Sequence, residues 1–520
     1  MAVSVRRKQG MDLILSYLRD FKVLKDNPRE YWGILTICFL DFAAYFSMTN
    51  VTTLFLSRDI GLSDVHAGYV MTALGSLVTI FLLFSGMLAD RIGIRKSLYF
   101  ALGTKVVLAL SIGLLALGPN FSGRGILISI LFVLLAPAIA LVQTVAQAAN
   151  KRYTSKRSRG AGFNLWYAFV NIGGTAAGLL MDLVRVTFRL ANANTWIVLF
   201  TVVAAGSAIV LLAILVRNED QVHGQGEEPD PGEEQGKVKQ KPWVLLRSLF
   251  SQPPFRKFLV LMTSVLGVRA IFVYVYILFP KYWERTIGGD AQIGKLTAIN
   301  PTLIVLGLVL FIPLANKFNI FKMLVFGALL SSLSLFTLVA PWQWLGGSMV
   351  SSYYALSIAC MVVLSLGEVI WSPKIYEYTA AIAPHKQEGL YLGLSMMPWF
   401  VAKTVVSFLS GHMLTQWCPE GIGDQIRAGT VTFWRSPEAM WLILGIWAIS
   451  GPLIALALRR WLTEGTNLQP SYSATGEAAT AEAALGEAAI GDKAAAAAAA
   501  AAEPAPTSAA ERSPGGVASG

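Results

Sequence analysis

"GMLADRIGIRKS", residues 86–97, joins two apolar runs, near 67–89 and 97–118, each of the length a helix needs to cross about 30 Å of hydrocarbon. Asp90, Arg91, Arg95 and Lys96 crowd into this link. Charge so concentrated between greasy runs marks a turn at one membrane face, and its basic excess places that face in the cytoplasm. Gly86 allows the flanking helices to approach, and Asp90 can accept hydrogen bonds or pair with a base on a neighbouring helix. The alternation of apolar run and polar link continues in both directions. It predicts about twelve spans, near 32–56, 67–89, 97–118, 125–149, 161–184, 195–216, 257–280, 291–315, 320–340, 350–382, 389–415 and 438–460.

Over 520 residues, 55% apolar and 14% charged side chains exclude an ordinary soluble domain, in which about a quarter of residues are charged. The net charge of +11 does not indicate nucleic acid, because the basic residues fall in alternate loops and form no single face with interleaved aromatics. Arg6, Arg7, Lys8, Arg19, Lys22, Lys25 and Arg29 precede the first run, and Lys151, Arg152, Lys156, Arg157 and Arg159 follow the fourth. These loops and both termini are therefore expected in the cytoplasm. Lys281 and Arg285, after the seventh run, depart from that pattern. Cys38 and Cys360 lie within runs and Cys418 in an outer loop, which gives neither a disulfide framework nor a metal spacing. His66, His223, His385 and His412 are equally scattered, so no metal and no cofactor are expected; His412 is at most a weak proton relay. The N-terminus lacks a short apolar core with a small-residue cleavage site, and the first span is expected to act as the anchor.

Residues 217–243, "RNEDQVHGQGEEPDPGEEQGKVKQKPW", cannot bury a core and divide the spans six and six. The expected organisation is a cytoplasmic segment 1–31, a six-helix bundle 32–216, a cytoplasmic linker 217–254, a second six-helix bundle 255–462 and a disordered Ala-rich tail 463–520. Within the first segment, residues 11–25 carry apolar residues near helical spacing among charges, as a helix lying on the inner surface would. The fold class is thus an all-α membrane protein of about twelve helices in two halves.

The link 86–97 resembles the loop motif G-x-L-A-D-R-x-G-R-R/K of the major facilitator superfamily: Gly86, Asp90, Arg91, Gly93 and Arg95 match, and Ile94 stands where a basic residue is usual. Three further stretches resemble the proton-dependent oligopeptide transporters within it. They are "FNLWYAFVNIGGT" (163–175), "INPTLIVLGLVLFIP" (299–313) and "GEVIWSPKIYEYTAAIAP" (367–384). The last is similar to that family's pattern G-E-x-x-x-S-P-x-x-x-E. The first span departs from the family's E-x-x-E-R-F-x-Y-Y-G: in "CFLDFAAYFS" (38–47), Cys38, Asp41 and Phe42 replace Glu, Glu and Arg, while Tyr45 keeps one aromatic. The lysine usual in the fourth span has no counterpart, and Gln143 and Gln147 are the polar residues there.

A charge at mid-bilayer costs about 2.5–3.5 kcal/mol, so it faces a watery cavity or a partner. The candidates are Asp41, Lys105, Arg269, Glu368, Lys374, Glu377 and Lys403. By the resemblance, Glu368 lies in a central cavity and holds a peptide amino group. Arg269 gives the opposite wall, Lys403 is a second anion-binding candidate, and Lys105 can instead snorkel to the inner surface. Lys374 and Glu377, three apart on one helix face, also read as an internal ion pair. Asp41, Glu368 and Glu377 are the carboxylates for proton coupling. Tyr45, Tyr167 and Asn171, with Trp371, Tyr376 and Trp399, are the neutral lining. The resulting expectation is a proton-coupled symporter of di- and tripeptides, integral to a bacterial inner membrane, whose partners are a small solute, protons and the lipid bilayer and not nucleic acid. A facilitator or efflux pump for another solute and a non-transporting receptor are the rivals. An enzyme is disfavoured, because no nucleophile, base and orienting group share a recognisable spacing.

Overall fold

The computed structural model describes residues 21–155, 158–217, 252–310, 318–382, 395 and 397–464, and among these the regular structure is helical, without strands. Hydrocarbon offers no partner to a free amide, and a helix satisfies the backbone within one segment. The spans are α1 (Arg29–Asp59, its last turn π-helical), α2 (Asp64–Ile92), α3 (Ile94–Leu117), α4 (Arg124–Arg152), α5 (Arg159–Asp182) and α6 (Ala193–Leu215). They continue as α7 (Pro253–Ile277), α8 (Ile293–Leu310), α9 (Ile320–Thr337), α10 (Met349–Ile382), α11 (Met397–Trp417) and α12 (Pro437–Ala457). Ten are long and apolar enough to cross a membrane. Of the other two, α8 has a shorter apolar stretch and α11 carries Lys403 and His412.

The deciding link is tighter than its composition implies. Gly93 alone, at φ 85°, separates α2 from α3, and the neighbouring charges sit inside the two helices. That left-handed φ strains any residue with a Cβ. The side chain of Asp90 falls outside the described residues, whereas Arg95 stacks on the Tyr99 ring at 5.6 Å.

Packing repeats with an offset of six helices. In the first half α1 packs on α5 and α6, α2 on α4, and α3 on α6; in the second, α7 packs on α11 and α12, α8 on α10, and α9 on α12. The halves meet along two matching seams, α2 with α11 and α5 with α8. Two related bundles joined in this way leave space at their common axis. Side chains such as Ile126, Val203 and Ile214 point outward, more than 60% exposed, as a lipid-facing surface requires. Most of the expected linker, the tail from residue 465 and residues 1–20 lie outside the described residues.

Candidate functional site

Between the halves lies a cavity of about 270 Å³. The first half contributes Tyr45, Phe46, Gln143, Gln147, Trp166, Tyr167 and Asn171 among others; the second contributes Arg269, Phe272, Tyr276, Asn300, Glu368, Trp399 and Lys403. Seven candidate site residues singled out from the sequence (Glu368, Arg269, Tyr45, Tyr167, Asn171, Trp399 and Lys403) therefore share one space. Every charged residue among the described lining belongs to the second half: Arg269, Glu368 and Lys403. The opposite wall is aromatic and amide-bearing.

Each charge is held differently. Glu368 on α10 accepts a hydrogen bond from Asn300 Nδ2 on α8 at 2.7 Å, and Asn300 also reaches Ser365 Oγ at 3.1 Å. The Arg269 guanidinium lies 4.7 Å over the Trp371 ring, a placement that uses the ring's negative face. Trp371 is itself fully buried and donates Nε1–H to Ser331 at 3.1 Å, so it supports the wall from behind, whereas Trp399 lines the cavity. The Lys403 stem crosses the seam onto Gly75 of α2. The side chains of Tyr376 and Glu377 lie outside the described residues, and Lys374 is buried.

Asp41 lies outside the cavity lining. Its carboxylate accepts a hydrogen bond from Lys105 Nζ of α3 at 2.6 Å, and the two side chains are 3% and 5% exposed. Lys105 thus turns inward as a partner and does not snorkel. A buried pair of this kind is costly to break from one side, about 3–5 kcal/mol.

The seams close toward the end of the bundle opposite the chain termini, called the far end below. Along α2 and α11, Gly68 packs on the Ser407 carbonyl, Gly411 meets the backbone of Asp64 and Val65, and Ser76 contacts Thr404 at 3.3 Å. Along α5 and α8, Gly178 and Gly294 touch backbone to backbone, and Thr175 meets Thr302 at 3.0 Å. Asp182 accepts the amides of Gly294 and Lys295, both at 2.8 Å, which caps the N-terminus of α8 from the other half. Beyond the seams, Asp64 takes both Lys281 and Arg285, the latter at 2.7 Å, and Glu284 takes Arg58 and Arg185, each at 3.4 Å.

Sequence reading missed this network. Its one signal was the departure of Lys281 and Arg285 from the charge rule, and they depart because Asp64 holds them. Asn300 lies within the stretch 299–313 but was given no role: an amide is an ordinary residue until its neighbour across the fold is known.

The sequence matches the profile of the Major Facilitator Superfamily over residues 5–135 and 34–345. A 165-residue stretch is 32% identical to puromycin resistance protein pur8 of Streptomyces alboniger, a match spanning 30% of this chain and 30% of that protein. Among solved structures, the peptide transporter POT in complex with sulfate superposes with a TM-score of 0.63 at 15% identity, covering 85% of this chain and 96% of that one. A D-xylose-proton symporter superposes with a TM-score of 0.59 at 15% identity, covering 84% and 97%. Likeness at such identity concerns the fold. With the superfamily profile extending over most of the chain and two related helical halves packed around a central cavity, this integral membrane protein is a transporter of the Major Facilitator Superfamily.

Proposed function

We propose that the protein is a proton-coupled symporter of di- and tripeptides, working by alternating access in a bacterial inner membrane with both termini cytoplasmic. The observation that carries this reading is the cavity wall on which Glu368, fixed by Asn300 at 2.7 Å, stands with the cations Arg269 and Lys403. A solute bearing both an ammonium and a carboxylate needs such a wall. The sealed far end supports an inward-facing state, with the cavity served from the terminal side.

Symport places a constraint on the proton. If a solute ammonium and a proton compete for one carboxylate, each expels the other, and the two are exchanged across the membrane. Joint movement needs a second carboxylate. The Asp41–Lys105 pair supplies one: protonating Asp41 discharges the pair, frees Lys105 and shifts the conformational balance. A proton falling through 100 mV releases about 2.3 kcal/mol, enough to drive uphill uptake of a neutral solute.

A second reading has its own support. Glu368 is the carboxylate among the described lining residues, the remaining wall is rich in aromatic rings, and the pur8 relative is a resistance protein. Proton-driven efflux of an amine-bearing aromatic solute fits those features.

The direction of coupling separates the two. Labelled dialanine is offered to proteoliposomes with the outside acidic, with the inside acidic and with no gradient, using the native protein, Glu368→Gln and Asp41→Asn. Symport predicts accumulation with acid outside. It also predicts loss of binding in Glu368→Gln, and in Asp41→Asn retained binding with gradient-independent movement. Accumulation only with acid inside establishes exchange, and no dialanine flux from folded protein removes the peptide assignment.

A further inference from the structure

We infer that Lys403 is the seat for the solute's anionic end, and that Gly75 of the opposite half sets its position. The inference rests on the peptide reading above and names the group that fixes the carboxylate. Three cations or anions line the described cavity, and two are already engaged. Glu368 holds Asn300, and Arg269 lies over the Trp371 ring with only 7% of the residue exposed. Among the described residues, Lys403 makes no hydrogen bond and no ion pair, yet it is half-buried and lines the cavity. An ammonium in that position within a membrane bundle carries its desolvation cost without return until an anion arrives.

The stem is held for this purpose. A Cβ at position 75 would stand 3.0 Å from Lys403 Cε and 3.3 Å from its Cδ and Cγ, so the lysine runs over a place where α2 has no side chain. At the very next residues the same two helices are joined by Ser76 and Thr404, and toward the far end by Gly68 against Ser407. The stem cannot fall back into a tightly joined seam, and its head stays at the cavity. Glu368 and Lys403 then present opposite charges from α10 and α11, while the first half offers rings and amides to the body of the solute. The class selected is an amino acid or short peptide with a free carboxylate and an apolar or aromatic side.

Binding of dialanine and of its C-terminal amide, which keeps the amine and lacks the carboxylate, is measured by calorimetry on full-length protein. The native protein should prefer the acid by about tenfold or more, the strength of one charge-assisted contact. Lys403→Gln should bring the two within about twofold by weakening the acid alone, Lys403→Arg should keep the preference, and Gly75→Leu, which displaces the stem, should reduce it. If Lys403→Gln does not fold, Gly75→Leu and the native preference still decide. Native protein that binds dialanine without preferring it to the amide overturns the inference and leaves the peptide reading standing, as does an unchanged preference in Lys403→Gln. Native protein that binds neither compound overturns both.

Discussion

The two ends of the bundle hold their halves in different ways. At the far end, most of the described ion pairs cross from one half to the other: Asp64 to Lys281 and Arg285, Glu284 to Arg58 and Arg185, Arg58 to Glu420, Arg189 to Asp290. At the terminal end the described ion pairs stay within a half, and so do hydrogen bonds of Ser158 and Lys257. Glu30 pairs with Arg217 at 2.6 Å, Ser158 donates to Asn27 at 2.7 Å, and Lys257 reaches the Glu464 carbonyl at 2.6 Å. The difference teaches where this conformation stores its closing energy. Each half is stapled to itself at one end and to its partner at the other, so the halves can separate at the terminal end without breaking a described ion pair.

Cys418 reports on the far end. It is fully buried, its carbonyl accepts Arg285 Nη1 at 2.7 Å, and burial pushes its thiol up to about 12. Cys38 and Cys360 are buried elsewhere, so maleimide labelling of the folded protein reads far-end opening at Cys418. The largest effect is expected from Asp64→Asn, which leaves Lys281, 1% exposed, without its ion-pair partner and Arg285, 3% exposed, with only the solvent-exposed Glu420 at 3.6 Å. Stranding buried cations costs about 3–5 kcal/mol, and opening relieves it, so labelling should accelerate by about a hundredfold. An unchanged rate would show that the network does not hold the far end shut.

Gly294→Ala comes next. Its new methyl would collide with the Gly178 carbonyl, which is backbone and cannot rotate aside. Overpacking costs about 1–3 kcal/mol; part is absorbed locally, and about a tenfold rise in labelling should remain. Glu30→Gln probes the opposite end. It weakens the part-buried tie to Arg217 within one half, so the melting temperature should fall modestly while Cys418 keeps its native labelling rate. A faster rate there would erase the distinction between the ends. Arg189→Ala should do least: both partners are about 70% exposed, and such pairs contribute at most about 1 kcal/mol. Labelling and melting temperature should match the native protein.

The candidate site was partly legible because charge is expensive in hydrocarbon. Any ionisable residue inside an apolar run needs a reason, and that rule alone brought out Glu368, Arg269 and Lys403. It did not separate Asp41 from them, since cavity and buried partner are equal excuses in one dimension. Lys105 shows the same ambiguity from the other side. Its place in the run 97–118 allows snorkelling, and only the fold, in which α1 and α3 both pack on α6, turns it to Asp41.

What the sequence determined by itself was the solvent of each segment: apolar runs of helical length, basic links and one polar break in the middle suffice for a two-part helical membrane protein, because hydrophobic length and loop charge act locally. Which groups meet was decided by the tertiary structure. Asn300 and Glu368 are 68 residues apart, Lys281 and Asp64 are 217 apart, and the Gly75 seat of Lys403 lies on the other half. Such pairings depend on the rotation and depth of packed helices, which are set by all contacts at once and written in no single stretch of chain.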